Sequence, residues 1–201
     1  MTQAYVDDLI RTFVALKVSP ELVAAVLRIQ KRAGIDLPRG LRWTNPEQAH
    51  MTLAFLGDTP SESLPALADI VTEAAAGFAP FLAEVHGIGG FPRAQRPRVI
   101  WAGVAGDSVP RFAAMHDFLW SGIMPIRPKP KPDDRPFHPH ITLARVPGPQ
   151  PPRLAEWMDR HADWHFGAWP VREISLMRSV LTPTGPVYET IVEALLTGDK
   201  D

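Results

Sequence analysis

The sequence contains no cysteine. That excludes disulfides, thiolate zinc sites and a cysteine nucleophile, and it fits a reducing cytoplasm, the expected location. Net charge is also nearly absent, at −1 near neutral pH, so no global field draws the chain to nucleic acid or to a membrane. Attraction for a polyanion has to come from a local patch. No apolar run approaches the length of a membrane span, and Asp7 and Asp8 stand ahead of any apolar run, unlike a secretory signal. The expectation is a soluble intracellular chain that has no membrane partner and acts as a monomer. Its 201 residues suit one large domain or two small lobes sharing a core.

What is present is a repeated pattern. His50-Met51-Thr52-Leu53 returns as His140-Ile141-Thr142-Leu143, each at the head of a short apolar run that reads as a buried strand. Composition alone predicts roughly 0.03 chance matches to H-x-T-L in the chain, so two are a signal rather than an accident. Residues two apart on a strand share a face. His and Thr of each copy therefore project together, while Met51 and Leu53, or Ile141 and Leu143, enter a core. Two such strands facing each other would set two imidazoles and two hydroxyls around one small anion.

The rest of the chain reads as an imprecise duplication around these strands. Arg11 to Val18 is a strand, and residues 1–10 are a loosely attached extension to a single domain over 11–201. Ser19-Pro20 opens a helix striped by Leu22, Val23, Val26, Leu27 and Ile29. Thr59-Pro60-Ser61-Glu62 reads as a capping box before a second helix. Phe81 to His86 alternates as a strand, Gly87 to Pro97 reads as a turn-rich loop, and Arg98 to Val104 is another strand. A third helix starts at Asp107-Ser108. The proline-dense stretch Pro125 to Pro152 makes two stiff rims flanking the second His strand. A short helix over Arg153 to His161 precedes a hairpin of Val171 to Leu181 with Val187 to Leu196.

Imidazole is the side chain that gives and takes protons near neutrality. Two in one cleft can hold opposite protonation states, as concerted acid–base catalysis needs. The threonine hydroxyls can donate to non-bridging phosphate oxygens. Together the four groups match an anionic phosphodiester, and they need no metal if the pair handles the leaving oxygen. A two-histidine metal site lacks the carboxylates or further ligands expected of one.

On these residues, together with Arg11 to Leu16, Arg42-Trp43, Phe55-Leu56-Gly57, Gly90-Phe91-Pro92, Pro139, Ala144-Arg145, Arg178-Ser179, Gly185 and Tyr188, the chain resembles the 2H phosphoesterase superfamily. Within it, the likeness is greatest to the RNA 2′,3′-cyclic phosphodiesterases, also called the 2′-5′ RNA ligase family. The resemblance implies an α+β fold, bilobal, with two mostly antiparallel sheets, outer helices and pseudo-twofold symmetry around a central cleft. It implies hydrolysis of a terminal 2′,3′-cyclic phosphate to a 2′-phosphomonoester with no cofactor. By motif position His50 would be the proton donor, His140 the proton acceptor, and Thr52, Thr142 and Arg145 the phosphate ligands.

Substrate contacts are expected from Phe13 and Trp43, which could stack a terminal base, although core packing is the simpler role for Trp43. Two basic clusters, Arg127, Lys129, Lys131 and Arg135, and Arg93, Arg96 and Arg98, either line an RNA path or form solvated loops. His138, separated from His140 by Pro139, reads as structural or as part of a rim. The expected partners are RNA 3′ ends or small nucleotides bearing a 2′,3′-cyclic phosphate. A phosphodiesterase for a small nucleotide, such as a 2′-5′ oligoadenylate or a cyclic ADP-ribose phosphate, is one alternative. A non-catalytic RNA-end binder is the other, though it would not need two proton-transfer groups.

Overall fold

A computed structural model describes residues 9–37, 39–126, 136–183 and 185–199. The basic cluster Arg127, Lys129, Lys131 and Arg135 lies outside the described residues. In chain order the elements are β1 (Leu9–Lys17), α1 (Pro20–Asp36), β2 (Arg42–Trp43), β3 (His50–Pro60), α2 (Leu64–Gly77), β4 (Phe81–Phe91) and β5 (Val99–Ala105). They continue with α3 (Ser108–Ile126), β6 (His140–Arg145), α4 (Leu154–Arg160), β7 (His165–Val171), β8 (Glu173–Thr182) and β9 (Gly185–Leu195).

The fold is α+β, but the two expected sheets are one. The described strands form a single antiparallel sheet in the order β7-β4-β5-β6-β3-β1-β8-β9, with β2 beside β6. The halves meet where the two motif strands lie side by side, through the pair Met51↔Ile141. The motif strands are therefore neighbours in one sheet rather than partners across a gap. Each half also borrows from the other. β4 follows the first motif yet lies in the half of the second, while β8 follows the second and pairs with β1.

One continuous core fills the helix-covered face. Leu22, Ala25, Val26, Ile29 and Ala33 of α1, at helical spacing, pack there with side chains of α2, α3 and α4. Val14, Leu16, Met51, Leu53, Ile100, Ile141 and Leu143 meet them from the sheet. On the other face Phe13, Ala15 and Met177 form a separate small cluster with Tyr188 against it. Met51 is fully buried at the seam between the halves. Met51→Ala should cost about 2–5 kcal/mol of unfolding free energy; a denaturant midpoint unmoved by the change would mean the seam is not packed.

Three local expectations are corrected. β1 begins at Leu9, opposite Pro60, so residues 9 and 10 belong to the sheet rather than to an extension. Thr59 does not cap a helix: it stays in β3, with its buried hydroxyl 2.7 Å from that of Thr12, and α2 starts only at Leu64. The glycine run after His86 is strand, not loop, because β4 continues to Phe91 and pairs Gly89 with Trp101 of β5. β7 has no counterpart in the sequence reading; it covers β4 from the outer side.

Candidate active site

The two motifs fold alike in detail. Their first six residues share one burial pattern, the His and Thr half-buried and the residue after each of them buried. Both strands also carry a β-bulge at the fourth position. Val14 and Ala15 pair with Ala54 and Thr52, skipping Leu53; Ile100 and Trp101 pair with Ala144 and Thr142, skipping Leu143. Strict alternation would send Arg145, three residues past Thr142, to the helix-covered face. The extra residue restores it to the face of His140 and Thr142. The equivalent position in the first motif is Phe55, with the guanidinium of Arg11 4.8 Å from its ring centre.

Carrying the Met51↔Ile141 register one residue either way sets His50 across from Thr142 and Thr52 across from His140. The imidazoles are diagonal neighbours on one face. Each is oriented by the same bond: Nδ1 of His50 lies 2.8 Å from the carbonyl of Gln48, and Nδ1 of His140 lies 2.7 Å from that of His138. A carbonyl can only accept, so each Nδ1 carries the hydrogen, and each neutral ring keeps Nε2 as its acceptor nitrogen.

The surroundings of the two rings differ. His50 is boxed by Phe13 (centroids 5.0 Å apart) and the edge of Tyr188 (5.0 Å, 87°). His140 meets Phe91 (4.9 Å, 85°), Trp101 and His138 (both 6.4 Å). Burial lowers the pKa of both imidazoles below the usual value, against the opposing effect of their carbonyl partners. A charge on His140 further lowers His50, while His138 and Arg145 further lower His140. Burial raises the Tyr188 phenol, with Arg145 and Arg11 acting against it.

A groove of about 490 Å³ opens beside His50 and Tyr188, walled by Val23, Ala24 and Leu27 of α1 and completed by Lys17, Gln48, Met177 and Thr190. Lys17 is held by Glu193 and, at 3.5 Å, by Glu173. Among the described residues no group of three or more His, Cys, Asp or Glu could hold a metal ion. No helix among them is long and apolar enough to cross a membrane.

Of the expected contacts, Phe13 lies against His50, whereas Trp43 pairs with Ala144 and packs on the main core. Arg98 donates to the carbonyl of Gly148 at 3.1 Å, which ties two loops together, and Arg93 and Arg96 are exposed in the loop before β5. The sequence reading names Tyr188 and Phe91 only among the residues of the resemblance and leaves Trp101 to core packing; it assigns no part in the site to these three or to the carbonyls of Gln48 and His138. Position two before each His was the available signal for the carbonyls, but backbone acceptors leave no residue signature.

The fold is that of the 2H phosphoesterases. The crystal structure of TT0787 of Thermus thermophilus superposes with a TM-score of 0.81 at 34% identity, over 94% of this chain and 100% of that one. An RNA 2′,3′-cyclic phosphodiesterase of Methanothermobacter thermautotrophicus is 32% identical over 184 residues, 89% of this chain and 95% of the relative. One of Thermus thermophilus is 33% identical over 195 residues, 94% and 91% of the two chains. The model of the 2′-5′ RNA ligase superfamily matches residues 18–182, and the chain belongs to that family.

Proposed function

We propose that the chain opens the 2′,3′-cyclic phosphate at an RNA 3′ end to a 2′-phosphomonoester, by acid–base catalysis between His50 and His140. The carrying observation is the matched Nδ1–carbonyl bond in both motifs, which makes Nε2 the acceptor nitrogen of two rings carried on neighbouring strands of one sheet. Nε2 of neutral His140 takes a proton from water as its oxygen attacks phosphorus. The P–O3′ bond breaks, and the 3′-oxygen takes the proton of His50 Nε2–H. Solvent exchange then resets both rings. Thr52 and Thr142 donate to the non-bridging oxygens, and the Arg145 guanidinium offsets their charge. A 5′-hydroxyl in place of water gives 2′-5′ ligation by the same two transfers.

The assignment of roles is supported by charge. Arg145 and His138 both oppose a proton on His140. The charge that opposes one on His50 is that of His140 itself, which is absent while His140 is neutral, so a proton entering with an anionic substrate resides on His50. Since the leaving oxygen stays on the terminal ribose, that nucleoside lies on the His50 side, where the groove begins. With Lys17 already engaged by two carboxylates, the groove suits an uncharged base and sugar better than a further phosphate. This feature also favours the small-nucleotide reading, and affinity separates the two: an oligonucleotide binding no better than a mononucleotide selects the small substrate. The decisive assay supplies adenosine 2′,3′-cyclic phosphate with a chelator present. 2′-AMP should accumulate at an unchanged rate; 3′-AMP, or no turnover of any cyclic-phosphate end, overturns the proposal.

A further inference from the structure

One hydrogen bond orients both histidines, but its two acceptors are held by different means. The Gln48 carbonyl belongs to the 3-10 turn Pro46–Gln48, started by the Asn45 side chain and closed by Gln48 N–H to the Asn45 carbonyl at 3.0 Å. His138 lies in irregular chain over 136–139. What meets it there is aromatic: its ring leans on Trp101 at 4.6 Å and meets the edge of Phe91 at 5.5 Å and 90°. The residue before it, Phe137, stacks on His116 of α3 at 4.3 Å and 16°.

Trp101 reaches this position because β4 and β5 make room. A Cβ on Gly89 would overlap Cη2 and Cζ2 of the indole and lie 2.7 Å from Cε2, and one on Gly103 would lie 3.1 Å from Cζ3. Gly89 is not at positive φ, so the requirement for glycine there is space rather than backbone freedom. The indole Nε1–H donates to no acceptor among the described residues. The contact the ring makes here is through its face, which meets His138.

We propose that Trp101, seated over Gly89, is the positioning residue for His140: it holds the His138 ring, and with it the carbonyl that fixes Nδ1–H of His140. It does for the second motif what the 3-10 turn does for the first. Only the kinetic part of this idea rests on the proposed reaction.

The test combines 15N histidine spectra of the free protein, taken where both rings are neutral, with steady-state kinetics on adenosine 2′,3′-cyclic phosphate. Trp101→Leu should shift His140 from the Nδ1–H tautomer toward a mixture while His50 stays unchanged. It should lower kcat about tenfold or more with KM within about twofold. Gly89→Ala should do the same in the native background, yet cost less than about twofold in a Trp101→Phe background, because the shorter ring leaves room for the methyl. Should Trp101→Leu fail to fold, the Gly89→Ala and Trp101→Phe cycle carries the test. A His140 tautomer indifferent to Trp101, or an equal Gly89→Ala cost in both backgrounds, overturns the proposal. The spectra need no substrate, so they judge the positioning role even if the assigned reaction fails.

Discussion

His50→Ala and His140→Ala should each lower kcat by about 10²–10⁴-fold, the usual worth of one general acid or base, while both variants stay folded. Neither imidazole is fully buried in the core, so its loss leaves no large cavity. The pH profiles then separate the two roles. An acid works below its pKa and a base above it, and burial places both imidazoles below the usual histidine value in the free protein. The wild-type kcat/KM should therefore peak on the acid side of about pH 6.5 and fall roughly tenfold per unit above its upper limb. His50→Ala should abolish the decline at high pH, and His140→Ala the decline at low pH. The reverse pattern would exchange donor and acceptor; two unaltered bells would remove both histidines from proton transfer.

The motif pairs were legible because a two-residue period and an apolar alternate position are local properties. Other features of the site depend on contacts distant in sequence. The bulged residues Leu53 and Leu143 are ordinary core leucines in side chain, with no glycine or proline to mark an insertion. The bulge is visible only once β1 and β5 are laid alongside. Thr59-Pro60-Ser61-Glu62 carries every local mark of a helix start, yet the Thr59 hydroxyl is claimed by Thr12, 47 residues earlier. Gly87 to Gly90 looked like a loop on propensity, but Gly89 is a place for the Trp101 ring. The merging of the two sheets could not be read either, since nothing in the order of elements says that β4 and β8 exchange halves.

Arg145 is where the bulge has its chemical consequence. Without Leu143 as the extra residue, its guanidinium would lie on the helix-covered face. With it, the charge acts on both His140 and Tyr188. Arg145→Ala should raise KM for a cyclic phosphate about 10–100-fold, the range for losing charge-assisted hydrogen bonds of about 1.5–3 kcal/mol. It should also move the acidic limb of the pH profile upward. Removing a neighbouring cation relieves part of the opposition to a proton on His140, so a base must reach higher pH to be neutral. Arg145→Lys should leave that limb nearly in place, because the charge remains, but recover only part of the binding, because an ammonium cannot offer two parallel donors. KM and limb respond to different properties of one side chain, its donor geometry and its charge. An Arg145→Ala enzyme with both unchanged would show that the guanidinium, though turned to the correct face, makes no contact with the phosphoryl group.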